Sequence, residues 1–310
     1  MKTKVAVVGA GTWGLSLAAA AARAGSDVSI VSRRAEGSAP EGVRRTTDLK
    51  TIRDARLVIV AVPSHVAREV GREIGDHLDG RHLVVHGVRG LVGEKLETVC
   101  DVLRHETPVR RLGALGGPAL ADDLLAGRPS VLICGSAYPE VTDAVDQALG
   151  CRSCRLYTTP DLRGLEWGSA LVGCLAIGIG YAQTLGLSPG LVAAVITRAI
   201  TEGSRIAAAA GGDERTLLGL AGYGDLLACI AQKERPEVRL GAALAQGRPV
   251  AEAIKGVELR VEAVELIPRI AKWAEGQGVK TPIFNALADA IFGRRSPSEL
   301  VEILMTRPKD

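Results

Sequence analysis

"KVAVVGAGTWGLSLAAAAARAG", residues Lys4 to Gly25, joins two patterns of different period. Its first part is a short apolar run with β-branched valines, which predicts a buried strand. Its last part is rich in Ala and Leu and closes at Gly25, which predicts a helix with a glycine stop. Between them Gly9, Gly11 and Gly14 hold the G-x-G-x-x-G spacing. The hexapeptide alone is weak evidence, but after a strand and at the opening of a helix it has a mechanism. The first glycine makes a tight turn. The second lets the backbone approach a pyrophosphate at the helix N-terminus, and the third lets helix and strand pack closely.

The same alternation continues through the first half of the chain. "DVSIVS", "RLVIVAV", "RHLVVHGV", "RRLGALG", "SVLICGS" and "CRLYTT" are short strand-like runs, most of them followed by a turn or a helical segment. Strands that are apolar throughout belong to a parallel sheet covered by helices on both faces. Residues 1–159 are therefore expected to form a Rossmann-type, doubly wound parallel sheet domain of the α/β class. At Pro160 the character changes. "SPGLVAAVITRAITEGSRIAAAAGG", "RTLLGLAGYGDLLACIAQ", "EVRLGAALAQG" and "VELRVEAVELIPRIAKWAEGQG" repeat their apolar residues at helical spacing. They predict an all-α domain over residues 160–310. "GLEWGSALVGCLAIGIGYAQTLG", Gly164 to Gly186, approaches the ~20 apolar residues of a membrane span. Glu166, Gln183 and its many glycines make it instead a core helix that opens the second domain.

A chain of 310 residues, 47% hydrophobic and 24% charged, is ordinary globular material for two domains. The net charge of +3 is small, and the arginines are scattered as singles or pairs such as Arg33-Arg34 and Arg110-Arg111. That argues against a nucleic-acid partner. "MKTKVAVVGAG" runs into glycines too early to be a leader, so a cytoplasmic protein without a membrane partner is expected. The six cysteines are then expected as reduced thiols. "CRSC", Cys151 to Cys154, has half the spacing of a zinc site, but no second pair or histidine cluster completes it, so no metal is expected.

After the second strand an NAD binder usually offers an acidic residue to the ribose hydroxyls. Here "VSRR" places Ser32, Arg33 and Arg34, which suits a 2′-phosphate and leans toward NADP over NAD, although Glu36 lies close by.

Further motifs follow in a fixed order. They are "AVPSHV" (Ala61–Val66), "RGL" (Arg89–Leu91), "GGPALA" (Gly116–Ala121), "DLRGLEWGSAL" (Asp161–Leu171), "ITRAITE" (Ile196–Glu202) and "LLGLAGYGDLL" (Leu217–Leu227). The series resembles the bacterial NAD(P)-dependent glycerol-3-phosphate dehydrogenases over almost the whole chain. The resemblance implies a second domain of the 6-phosphogluconate-dehydrogenase C-terminal type, a homodimer, and reduction of dihydroxyacetone phosphate by a nicotinamide. It places Gly9, Gly11, Thr12, Trp13, Gly14, Arg33, Ala121 and Glu258 around the dinucleotide, and Arg89, Gly117, Ala119, Asp225 and Arg235 around the substrate.

At the reacting end the resemblance fails. The family carries its catalytic lysine in "GALKN", where this chain reads "SALVG", so Val172 stands at the lysine position. Valine neither transfers a proton nor stabilises an alkoxide. A second family lysine is here Arg89, which keeps the charge but is a poor proton donor. Asp225 is kept, with Cys229 four positions on where the family has threonine. The family's "SRN" falls on Arg235, Pro236 and Glu237, which sets a carboxylate where a phosphate would sit, and Leu259 interrupts "VEG". His86, at the end of its strand, is the remaining surrogate acid. A dehydrogenase with a changed, acidic substrate is expected, with Arg89 binding its acidic group and Asp225 or a water handling the proton. Its action on glycerol 3-phosphate should be weak or absent. The alternative is a dinucleotide-binding sensor or interaction protein without turnover.

Overall fold

The computed structural model describes residues 2–34, 36–232, 234–257 and 261–296, together with Glu299, Glu302, Met305 and Thr306. The chain divides into two compact units, Met1–Glu166 and Trp167–Asp310.

The first unit is an eight-stranded sheet. Its strands are β1 (Lys4–Val8), β2 (Asp27–Val31), β3 (Val43–Thr46), β4 (Leu57–Val60), β5 (Leu83–His86), β6 (Leu112–Gly116), β7 (Ser130–Gly135) and β8 (Cys154–Thr159). The spatial order is β3-β2-β1-β4-β5-β6-β7-β8, so the direction of winding reverses between β1 and β4. Register is continuous there, with Val8 opposite Val31 on one side and Val60 on the other. Alternation along β1 sends Val5 and Val7 into one core with Leu17, Ala18 and Ala21, and Ala6 and Val8 into a second with Ile74 and Leu103. Both faces are therefore covered, which is why the strands read as unbroken apolar runs. The covering helices are α1 (Thr12–Arg23), α2 (Ala67–Gly75), α3 (Val99–Glu106), α4 (Ala121–Ala126) and α5 (Pro139–Leu149).

The sheet departs from the expectation in two ways, in the direction of β7 and β8 and in the presence of β3. The pairing of β6 with β7 is antiparallel, with Ala114 opposite Gly135, while every other pairing is parallel. An apolar run records burial and not direction. Strand β3, "VRRT", was not expected, because an edge strand with two arginines lacks the apolar signature.

The second unit is helical throughout its described residues. Helix α6 (Leu162–Thr184) begins before the division between the units. It is followed by α7 (Pro189–Ala209), α8 (Glu214–Leu218), a π turn at Leu220–Gly224, α9 (Asp225–Ala231) and α10 (Pro236–Ala245). The last are α11 (Val250–Lys255), α12 (Ala263–Gly276) and α13 (Pro282–Ile291). Among the described residues α6 is the one helix long and apolar enough to cross a membrane, and 94% of its most apolar window is buried. The segment "RTLLGLAGYGDLLACIAQ" is not one helix. A Cβ at Gly222 would fall 2.2 Å from the Leu217 carbonyl oxygen, so the chain folds back on itself there as only glycine allows. Glu202, in "ITRAITE", is buried and accepts from the amides of Ile283 (3.0 Å) and Phe284 (2.8 Å) at the start of α13. A carboxylate at a helix N-terminus satisfies two otherwise orphaned donors and the helix dipole together.

Candidate functional site

The three glycines do separate things. Gly9 sits at φ +110, and a Cβ there would come 2.3 Å from the Ala61 carbonyl oxygen, so the chain turns tightly against β4. A Cβ at Gly14 would lie 2.0 Å from the Gly9 carbonyl oxygen, which brings α1 onto the turn itself. At Gly11 nothing lies within 4 Å of that position. Gly11 also caps α1 without a side-chain hydrogen bond, and the first turn carries no acid. The amides of that turn are thus left to an anion, which is the requirement of a dinucleotide pyrophosphate.

A cleft of about 610 Å³ opens at this point, lined on one side by Gly9, Gly11 and Pro63 and on the other by Ser32, Arg33 and Arg34. It lies past the carboxyl ends of β1, β2 and β4, where the winding reverses and where ligands of open α/β sheets bind. Glu36, Ser38, Arg45 and Glu73 also line it. Arg45, from β3, donates to the Ser32 hydroxyl oxygen (3.2 Å), the Arg34 carbonyl (3.2 Å) and the Ser38 carbonyl (3.4 Å). Sequence reasoning missed it, because an arginine on a short polar strand reads as a solvated charge.

Of the expected dinucleotide residues, Gly9, Gly11 and Arg33 therefore share one cleft. Thr12 is the first residue of α1, and Gly14 packs inside the turn. Trp13 lies against Gly87, where a Cβ would fall 2.4 Å from the indole nitrogen. Ala121 opens α4. Glu258 lies outside the described residues. Arg89 follows β5 and is half-buried. Gly117, at φ +95, and Ala119 belong to the turn between β6 and α4.

His86 is no solvent-facing acid. It is 1% exposed and its Nδ1 accepts from the Val88 amide (3.2 Å). Its proton therefore sits on Nε2, which donates to Glu166 Oε1 (2.9 Å). The same oxygen accepts from the Cys100 amide (2.8 Å), and the Cys100 thiol donates to the Gly113 carbonyl (3.5 Å). Burial pushes the Cys100 thiol well up, with the Glu166 carboxylate adding to it. His86, Cys100 and Glu166 are the one His/Cys/acid group of three near enough to share a metal among the described residues. Their hydrogen bonds already pair them with each other and with backbone.

In the second unit Val172 is fully buried on α6, as is Cys174, whose thiol is raised by burial and by the charge of Glu237. Asp225, the first residue of α9, is 1% exposed, and the Cys229 thiol donates to its Oδ1 at 3.6 Å. Arg235 donates through Nε to Glu237 Oε2 at 3.1 Å, with 15% and 17% of their side chains exposed. The guanidinium that could hold a phosphate is thus held by a carboxylate two residues away.

A glycine-rich turn at the switch point of a largely parallel sheet, with an all-helical second unit, defines a protein of the Rossmann type. Comparison with known proteins narrows the class. The model described as NAD-dependent glycerol-3-phosphate dehydrogenase N-terminus matches residues 35–142, and that for its C-terminus matches residues 161–302. Residues 4–41 match pyridine nucleotide-disulphide oxidoreductase. Glycerol-3-phosphate dehydrogenase (NAD(P)+) of Desulfitobacterium hafniense is 31% identical over 99% of this chain and 92% of that protein. The same enzyme of Moorella thermoacetica is 31% identical over 100% and 97%. The crystal structure of glycerol-3-phosphate dehydrogenase from Coxiella burnetii superposes with a TM-score of 0.90 at 26% identity, covering 99% of each chain. The Saccharomyces cerevisiae enzyme shares the fold at a TM-score of 0.87 and 18% identity, covering 98% of this chain and 99% of that one. The chain belongs to the NAD-dependent glycerol-3-phosphate dehydrogenase family.

Proposed function

We propose that this protein is a cytoplasmic NAD(P)-dependent oxidoreductase that has exchanged the family's substrate for another small, acidic hydroxy or keto compound. One observation carries the reading: Val172, at the position where the resemblance expects a lysine, is an apolar side chain with no exposure. A nicotinamide bound by the first unit supplies or takes the hydride. The chain's own part begins at the turn Gly9–Gly14, whose free amides and open Gly11 fit a pyrophosphate. Arg33 and Arg34 favour the phosphorylated form, NADP(H), at the ribose end. Residues 1–159 serve as the dinucleotide domain and residues 160–310 as the substrate and dimerisation domain of a homodimer.

Toward substrate, Arg89 offers a guanidinium to an acidic group, and Gly117 and Ala119 belong to the same proposed site. Asp225 or a water it orients handles the proton. A phosphate is poorly served, because Arg235 is spent on Glu237 and Pro236 offers no donor. Loss of a general acid/base typically costs about 10²–10⁴-fold in rate. Loss of a charged phosphate contact adds on the order of 2 kcal/mol. The test is NADPH oxidation with dihydroxyacetone phosphate beside a panel of small oxo acids. Turnover of an oxo acid and not of the phosphate supports the reading, and efficient turnover of the phosphate sinks it. Binding of the dinucleotide with no turnover on any of them would favour the sensor.

A further inference from the structure

Arg45 has no role in the reading above, yet it is tied into the nucleotide cleft more firmly than Arg33 or Arg34. Both of those are exposed, whereas Arg45 reaches the cleft from the adjacent strand and is half-buried. Its Nη2 binds the Ser32 hydroxyl oxygen and the Arg34 carbonyl, and its Nη1 binds the Ser38 carbonyl. Gly37, at φ +116, lies so close that a Cβ there would stand 2.9 Å from Nη1. The backbone after β2 is thus folded over the guanidinium. Its Nε is buried and has no hydrogen-bond partner among the described residues. A buried donor left without an acceptor is costly, and its presence beside a cleft points to a ligand that supplies one.

We propose that Arg45 is a specificity-determining residue for a dinucleotide carrying a 2′-phosphate. This deepens the cofactor reading given above and rests on it. The cup formed by Ser32, Arg33, Arg34 and Arg45 brings three guanidinium groups to the cleft, whose lining carboxylates are Glu36, beside them in the chain, and Glu73 on α2. Such a set fits a phosphomonoester dianion, which takes several charge-assisted N–H donors at once. A free ribose diol asks instead for a carboxylate, and Glu36 is exposed. Arg45 contributes in two ways: its charge adds to the cup, and its three bonds to oxygens hold Ser32, Arg34 and Ser38 around it. Arg44 is the internal control. It lies on the same strand, and its guanidinium instead donates to the Ser29 hydroxyl oxygen (2.6 Å).

The experiment is calorimetric titration of the full chain, and of its Arg45→Ala, Arg45→Lys and Arg44→Ala variants, with four probes. NADPH and 2′,5′-ADP carry the 2′-phosphate; NADH and 5′-AMP lack it. Arg45→Ala is expected to weaken NADPH and 2′,5′-ADP by about 10- to 100-fold, the range for a lost hydrogen bond to a charged group. NADH and 5′-AMP should change by less than about threefold, Arg45→Lys should recover part of the loss, and Arg44→Ala should bind as the parent does. Equal weakening of phosphorylated and unphosphorylated probes would make Arg45 a scaffold residue and overturn the proposal. So would parent affinity for NADH above that for NADPH, which would leave the dinucleotide site standing and refute only the preference for the phosphorylated form. Failure of the parent to bind either dinucleotide would instead refute the cofactor reading, and the proposal with it.

Discussion

A methyl group added at Gly14 would meet the Gly9 carbonyl oxygen at 2.0 Å, whereas one added at Gly11 would meet nothing within 4 Å. Gly14→Ala should therefore destabilise the protein by about 1–3 kcal/mol or more. Gly11→Ala should cost about 1 kcal/mol or less in stability. It should nonetheless weaken dinucleotide binding, because its methyl enters the space of the pyrophosphate. Chemical denaturation and an NADPH titration of the two variants separate these effects. Glu166 gives a second contrast. Its alanine variant strands the His86 Nε2–H and the Cys100 amide in a dry interior, at a cost of about 1–3 kcal/mol for each donor by equilibrium unfolding. The thiols differ as sharply. Burial pushes Cys134 up to about 12 and Cys154 to about 11, while hydrogen bonds from Ser153 and the amide of Cys154 outweigh burial and lower Cys151. Native alkylation at pH 8 followed by peptide mass mapping should label Cys151 first. The glycines were legible in the sequence because their constraint is local. The bond from His86 to Glu166 was not, since 80 residues separate the two.

Helices α2 and α3 are joined by an ionic lock. Arg68 binds Glu106 (2.6 Å) and Glu97 (2.7 Å), and Arg72 binds Glu106 (2.7 Å). Hydrogen bonds from Arg72 and then Arg68 hold the Glu106 carboxyl below the usual carboxylate range. A group depressed in the folded state lends stability above its unfolded value, about 4.3, and that contribution is lost as the pH falls further. Acid unfolding of Glu106→Gln should accordingly be less steep than that of the parent over that window. In the second unit, a Cβ at Gly180 would fall 2.2 Å from the Val238 carbonyl oxygen, and one at Gly241 2.0 Å from that of Ile177. Helices α6 and α10 thus meet backbone to backbone, and Gly241→Leu should lower the melting temperature of the helical unit well beyond the effect of an exposed substitution. Periodicity announced the long helices and the buried strands, because both signals arise from burial on a regular lattice. It missed β3, whose "VRRT" is an edge strand, and with it Arg45. The direction of β7 and β8 also escaped, because parallel and antiparallel neighbours bury the same side chains.

For the molecule as a whole, on the reading proposed above, the nucleotide half keeps what a dinucleotide requires and the reacting half lacks what the family's substrate requires. The fold and the nucleotide turn were readable because each follows from one short pattern. The chemistry was not, since the residues proposed for it come from distant segments: Arg89 after β5, Val172 on α6, and Asp225 and Arg235 beyond the π turn. The same spread makes repair difficult. On the proposed reading, Val172→Lys alone should not produce glycerol-3-phosphate dehydrogenase activity, because Arg235 stays paired with Glu237 and Pro236 adds no donor for a phosphate. The most direct measurement is steady-state oxidation of NADPH with dihydroxyacetone phosphate, on protein whose NADPH binding has first been established by calorimetry. Saturable binding is expected, with a turnover at least about 10²-fold below the 1–10³ s⁻¹ of ordinary enzymes. Turnover within that ordinary range would contradict this expectation, and would mean that another group does the work of the missing lysine.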